Sequence, residues 1–409
     1  MTRTEERLTD ALAARAAAVP ADSIRPLPAP GFGSFRRHQV TRRWSASLAP
    51  LATAASIAAL TAVMATLPHH HDHRSAAGLP PNSELLGVAA TSASSAWAVG
   101  ATLGRRGQAL VMRWDGTSWT HSPIARPAKG SALRAVAALS ARDAWAVGSV
   151  GPGTEMRPYI LHWDGTAWRR VPVPKMSESA QLTGVAVVSA RDAWAVGGPH
   201  GALILHWNGI TWLTVPSRWS AGHGWLFGVF ARSASDVWAV GTAGFNSLIL
   251  HWNGVTWTRL GGPRFGRYGS NIVGVDAVSP RQTWLVGETR SGLPLILRWN
   301  GAGLRQLARP PPPAGGGLAS VSAVSASQAW AVGTGGSRHQ PSRSWIMRWQ
   351  GHGWRSVPGP RQIANATLRS VAAVSANNVW AVGYSGLGLG VNSRALILAW
   401  DGTGWRVAA

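Results

Sequence analysis

The chain has 409 residues and a formal net charge of +23, from 39 lysines and arginines against 16 acidic residues. All but two of those bases, Lys129 and Lys175, are arginine, so the charge is guanidinium, which suits bidentate contact with phosphate, sulfate or carboxylate. There is no cysteine, which excludes disulfides, thiolate zinc sites and cysteine nucleophiles.

The N-terminal segment comes first. Thr2 to Val19 reads as a short amphipathic helix, with Thr2 and Glu5 at capping-box spacing and Leu8, Leu12 and Val19 toward one side, ended by Pro20. Arg36, Arg37, Arg42 and Arg43 then precede an uncharged run of 24 residues, Trp44 to Leu67. About 20 apolar residues cross a bilayer, so residues 44–67 are predicted to form a transmembrane helix. The flanking arginines place residues 1–43 in the cytoplasm and everything after Pro68 outside the cell membrane, a single-pass topology. A signal peptide cleaved after Val63-Met64-Ala65 is the competing reading. This arginine-flanked anchor resembles those of actinobacterial membrane proteins. Residues 68–84 form a linker containing His69-His70-His71-Asp72-His73, which reads either as a divalent-metal ligand cluster or as a solvated spacer. No metal site is assigned, and no cofactor is expected.

Residues 85–409 are repetitive. Trp-x-Val-Gly begins at Trp97, Trp145, Trp194, Trp238, Trp284, Trp330 and Trp380, and each is followed by a tryptophan in a Trp-Asp/Asn/Gln-Gly step, at Trp114, Trp163, Trp207, Trp252, Trp299, Trp349 and Trp400. The path from this second tryptophan to the next Trp-x-Val-Gly is 31 residues, once 32, so length variation is confined to one segment of the repeat. Such a period marks a supersecondary unit that cannot bury its faces alone.

Within Leu133–Val171, four short strands alternate with turn signals: Leu133 to Leu139, then Ala144 to Gly148, then Tyr159 to Trp163, then a strand through Trp168. Ser140 to Asp143 suits a type I turn, with Asp143, Asp192 and Asp236 serving the first turns of their repeats, and Asp164-Gly165 is a two-residue type I′ signal. The fold class is therefore all-β, a seven-bladed β-propeller of four-stranded antiparallel blades, each made of four consecutive strands, so that closure requires blade one to pack on blade seven. The stretches Asp143-Ala144-Trp145-Ala146-Val147-Gly148 and Trp163-Asp164-Gly165-Thr166-Ala167-Trp168 resemble sialidase-like Asp-box and photosystem-assembly-factor propellers. That resemblance implies the fold, and a scaffold or assembly role for a membrane complex is the function it suggests.

Twenty of the 24 tryptophans fall on repeat positions and are assigned to packing between blades; Leu304 replaces one in the fifth repeat. The loops between second and third strands, and those between blades, emerge on one face and hold all the variable sequence, where binding residues usually sit. Arg105, Arg106, Arg157, Arg218, Arg264, Arg267, Arg290, Arg338, Arg343 and Arg394 are the candidate ligand-binding residues there. Trp219, Trp225, Tyr268 and Trp345 either stack on sugar rings or pin long loops.

Catalysis finds few candidates. Glu84, Glu155, Glu178, Asp276 and Glu288 serve no turn, and the repeat shows no glycosidase-type carboxyl pair. A hydrolase or lyase would use Glu155, Glu178 or Glu288. Asp276 interrupts an inner strand, where an arginine near the channel is its expected partner. His162, His206 and His251 occupy equivalent sites, which repeat geometry keeps too far apart to share a metal. No catalytic residue is assigned. The expected function is binding of an anionic cell-surface polymer, glycan or membrane protein partner through the basic face; the anionic bilayer competes for that face, and the topology argues against nucleic acid.

Overall fold

In a computed structural model, the protein is described over residues 78–409, except 105–106, 177, 220–223, 263–268, 312–315, 336–342, 362, 364 and 387–392. The helix expected over Thr2 to Val19, the transmembrane span expected over Trp44 to Leu67 and the histidine cluster lie outside the described residues. Among those described, no helix is long and apolar enough to cross a membrane.

Four antiparallel strands in sequence order make each of seven sheets. Blade 1 is β1 (Ser83–Ser92), β2 (Ser95–Thr102), β3 (Ala109–Trp114) and β4 (Trp119–His121). In blade 2, β5 to β8 run Ser131–Ser140, Asp143–Val150, Arg157–Trp163 and Trp168–Arg170. Blade 3 has β9 to β12 at Ala180–Ser189, Asp192–Pro199, Leu203–Trp207 and Trp212–Thr214; blade 4 has β13 to β16 at Gly224–Ser233, Asp236–Ala243, Asn246–Trp252 and Trp257–Arg259. In blade 5, β17 to β20 cover Ser270–Ser279, Gln282–Thr289, Pro294–Trp299 and Leu304–Gln306. Blade 6 comprises β21 to β24 at Gly316–Ser325, Gln328–Gly335, Arg343–Trp349 and Trp354–Ser356, and blade 7 comprises β25 to β28 at Ala366–Ser375, Asn378–Ser385, Arg394–Trp400 and Trp405–Val407.

A tryptophan triad repeats at the blade boundaries. Trp97 of blade 1 lies 5.0 Å from Trp163 and 5.1 Å from Trp168 of blade 2, tilted on the first and edge-on to the second. Trp145, Trp194, Trp284 and Trp330 make the same two contacts with their following blades. Trp380 makes them with Trp114 and Trp119 of blade 1, so the ring closes by the ordinary blade contact. A Pro81–Arg394 bridge and the Ser83 N–H to Ser393 carbonyl hydrogen bond reinforce that seam. At the blade 4–5 boundary Leu304 stands in place of the second tryptophan, and Trp238 meets only Trp299 at 5.7 Å. In every blade the third-strand indole N–H also donates to a carbonyl of its own first turn, as Trp163 does to Ala141 at 3.2 Å.

Two turn assignments are corrected. Trp163 pairs with Trp168, leaving the four residues Asp164 to Ala167 as the connection. Only Gly165 has positive φ there, and type I′ requires it at both central positions. The Asp164 carboxylate instead accepts the backbone N–H groups of Thr166 and Ala167. The first turn is held by Ser140, whose Oγ accepts the Arg142 N–H; Asp143 points to His162.

The motif glycine has a specific cause. Each first strand carries a bulge opposite it, and a methyl group on Gly100, Gly148, Gly197, Gly241, Gly287, Gly333 or Gly383 would overlap a carbonyl of that strand. The bulged residues are Leu86, Arg134, Thr183, Phe227, Val273, Ala319 and Arg369, each 11 positions before its motif tryptophan.

Trp330→Ala should lower stability by about 3–5 kcal/mol through the cavity it leaves between blades 6 and 7. Leu304→Trp should raise it by about 0.5–1.5 kcal/mol by completing the missing triad. Urea unfolding monitored by tryptophan fluorescence checks both.

Candidate ligand-binding face and axial cavity

A bulge re-aims a side chain, and here seven of them re-aim one residue per blade into the propeller axis. The ring they form lines a cavity of about 620 Å³ at the variable-loop end. A second cavity of about 170 Å³ shares the ring and continues among Val88, Val136, Val185, Val229, Val275 and Val321.

The charge in the mouth is unevenly placed. Blades 7, 1 and 2 contribute Arg369, Glu84 and Arg134, while blade 5 contributes Glu288, with the apolar side chains of Phe227 and Val273 in the same ring. Burial pushes the Glu84 carboxyl above its ordinary range, and the fields of Arg369 and Arg134 pull it back only in part. Burial likewise lowers the Arg134 pKa, opposed by Glu84 and assisted by Arg369. Glu288 is raised by burial, with no compensating partner. The Arg369 guanidinium donates to the Tyr384 hydroxyl at 3.1 Å and lies over its ring. Both arginines remain solvent-accessible because they project into the open channel.

Asp276 departs from its expectation. No arginine meets it; its carboxylate accepts the N–H groups of Ala277 at 2.8 Å and of Ala323, in the next blade, at 2.7 Å, and it hydrogen-bonds the Ser322 side chain. Burial nevertheless pushes its pKa up to about 7. Ser322 in turn accepts the Ala373 N–H, so a polar chain crosses blades 5, 6 and 7.

On the tight-turn half, His162, His206 and His251 each lie 2.8 to 2.9 Å from an aspartate of the same blade, Asp143, Asp192 and Asp236. Each also packs on the motif tryptophan, Trp145, Trp194 or Trp238. Burial would raise the Asp236 pKa, but hydrogen bonds from His251 and Arg232 leave it lowered. Where that aspartate is absent, in blades 1, 5 and 6, Arg113, Arg298 and Arg348 lie over the tryptophan instead.

Of the arginines selected from sequence, Arg157, Arg218, Arg290, Arg343 and Arg394 are exposed at the variable-loop end. Arg157 donates to the Met176 carbonyl, and Arg290 sits 4.4 Å over the Phe245 ring. Arg105, Arg106, Arg264, Arg267, Arg338 and Tyr268 lie outside the described residues. Trp345 is corrected to a core residue: it is 3% exposed on β23, with its indole N–H donated to Ser356. Trp219 is half-buried against the blade 3–4 core, and Trp225 covers Gly198 and leans on Phe227 at 5.4 Å. Glu155 is exposed in a single 3-10 turn and Glu178 is exposed as well, whereas Glu288 shares the axial cavity with Glu84. Arg134, Arg369, Thr183 and Phe227 were not singled out from sequence. Their signal was the column 11 residues before the motif tryptophan, which is chemically diverse within an otherwise monotonous strand.

The sequence matches no protein-family model and no curated protein sequence. Similar solved structures are propellers. YCF48 bound to D1 peptide has a TM-score of 0.53 at 15% identity, covering 79% of this chain and 94% of that one. YCF48 from Cyanidioschyzon merolae has a TM-score of 0.52 at 17% identity, covering 79% and 97%. The extracellular domain of the putative one component system BT4673 from B. thetaiotaomicron has a TM-score of 0.50 at 9% identity, covering 78% of this chain and 39% of that one. At these identities the likeness defines the class of fold alone, a seven-bladed propeller.

Protonated Asp276 is the form that the folded state favours, because its pKa of about 7 lies above the unfolded value of 3.8. Its contribution to stability is full below about pH 4 and disappears as pH rises through 7. The stability difference between the wild type and Asp276→Ala should therefore change in that direction between pH 4 and 7, then stay constant above, in denaturant titrations across that range.

Proposed function

We propose that this propeller is a binding module, held outside the cell membrane by its N-terminal segment, that takes an anionic surface polymer, glycan or acidic partner segment on its variable-loop face. The distribution of ion pairs carries this reading. Among the described residues, every Arg–carboxylate and His–carboxylate pair within 4.0 Å lies in the tight-turn half or the outer hairpins: Asp143, Asp164, Asp192, Asp236 and Asp401 hold them all. Both halves are rich in arginine, but on the variable-loop face Arg218, Arg290, Arg343, Arg361 and Arg394 are exposed with no carboxylate in reach. Unpaired surface charge of one sign attracts a polyanion and releases it as salt screens the field. A scaffold role in a membrane complex is the second reading, favoured by the one feature that the structurally similar YCF48 has been solved with a D1 peptide bound.

The full chain should be retained on heparin or polyglutamate resin at low ionic strength, elute as salt rises, and pass through uncharged dextran. Arg290→Glu, Arg343→Glu and Arg394→Glu together should bring elution to markedly lower salt. Arg142→Glu, Arg191→Glu and Arg281→Glu, on the first turns of the opposite face, should leave most of the retention intact. Equal loss from the two sets would refute a face-specific site.

A further inference from the structure

The axial mouth is a site separate from the arginine rim, and its residues are organised for a different kind of ligand. Its volume, about 620 Å³, lies in the range of small-molecule pockets rather than of polymer grooves. On one arc, Arg134 and Arg369 share a single carboxylate, Glu84, which comes within no ion-pair distance of either. Two guanidiniums facing one carboxylate leave an unneutralised positive charge there, and the Arg134 guanidinium has no hydrogen-bond acceptor among the described residues. On the blade 5 arc, Glu288 has neither hydrogen bond nor ion pair among the described residues. Gly317 of the neighbouring blade keeps the space that its carboxylate occupies, since a methyl group there would overlap Glu288. Between the two arcs the wall carries the apolar side chains of Phe227 and Val273.

Glu288 is partly buried without a cation, and Arg134 and Arg369 face the open channel with donors to spare, so a ligand that pairs with both arcs at once gains charge-assisted hydrogen bonds at each end. A polyanion would meet Glu84 and Glu288 as repulsion, and a simple cation would meet the arginines. We infer that the axial cavity binds a small zwitterion of the amino-acid or short-peptide class, with its carboxylate against Arg134 and Arg369, its ammonium against Glu288, and an apolar side chain on the Phe227 wall. The same seven-residue ring also lines the smaller cavity of about 170 Å³ beneath.

The test is calorimetric titration of the full chain with leucine, phenylalanine and glycyl-phenylalanine, each compared with its N-acetyl and its amidated form. Charge-assisted hydrogen bonds of this kind set an expected loss of about tenfold or more in affinity when either end is blocked. Glu288→Gln should weaken the free zwitterion by a similar factor and leave the N-acetyl form unchanged. Arg134→Ala with Arg369→Ala should weaken the free and N-acetyl forms and leave the amide unchanged. An unaltered thermal transition in each variant confirms that the fold is intact. The triple rim variant Arg290→Glu, Arg343→Glu, Arg394→Glu should retain zwitterion binding, so failure at the rim and failure in the cavity are separable. Absence of saturable binding across the panel, equal affinity for free and blocked forms, or loss of the N-acetyl form in Glu288→Gln would each overturn the inference.

Discussion

The ring depends on one contact, a motif tryptophan held between the third- and fourth-strand tryptophans of the next blade. Each triad joins an inner strand region to the outer half of its neighbour, so a blade is complete only when the following one is present. Because Trp380 makes the same contact with Trp114 and Trp119, the two ends of the repeat are joined without exchanging a strand. Large, flat side chains suit this place because the gap between two twisted sheets is broad, and edge-on pairs add attraction beyond area alone. Leu304 shows the tolerance of the arrangement: one boundary has lost a partner, and the sheet around it keeps its register.

The second constraint acts along the axis. Since every second strand places a glycine under the first-strand carbonyl, the first strand can bulge, and the bulge turns one side chain per blade out of the sheet plane and into the channel. The scaffold thereby presents seven positions whose backbone is nearly identical and whose chemistry is free to differ. Small residues follow immediately, at Gly87, Gly184, Gly228 and Gly274, where neighbouring first strands run nearly in contact. Where serine replaces glycine there, Ser320 and Ser370 accept backbone N–H groups of the next blade, Val371 and Val88. Packing around the axis fixes everything except the seven projecting side chains.

That division explains what was legible in the sequence. The blades, their strand order, the tryptophan packing and the two faces follow from periodicity, because each is repeated seven times. Glu84 and Glu288 stood out only as residues that served no turn, and their meeting in one cavity depends on ring closure, which brings blade 1 opposite blade 5. Arg134 and Arg369 were hidden by abundance, being two arginines among many on a strand read as uniformly apolar. Trp345 was misread in the opposite way: it lies four residues before the third-strand tryptophan, facing the motif glycine Gly333, and Tyr159 occupies the same core place opposite Gly148 in blade 2. Asp143, Asp192 and Asp236 looked like turn residues because of their position, yet a histidine on the third strand accompanies all three, and that link crosses 14 to 19 residues of sequence.

Those pairs also govern how charge is distributed. In blades 2 to 4 an aspartate and a histidine satisfy each other above the motif tryptophan; in blades 1, 5 and 6, where Ser95, Gln282 or Gln328 replaces the aspartate, an arginine lies over the ring, and blade 7 has Asn378 with Ala399. In blades 2 to 4 the tight-turn half therefore pairs its charge within each blade, whereas Gln282 of blade 5 donates to Ala326 of blade 6. Among the described residues the variable-loop half has no such local pairing, so the field of its arginines extends into solvent at the end where the cavity opens. Under the function proposed above, an anionic group that reached the rim would meet the opposite sign at the axis, from Glu84 and Glu288. A uniformly basic funnel would hold any anion equally well; two carboxylates set inside it would make the axis discriminate by what accompanies the negative charge.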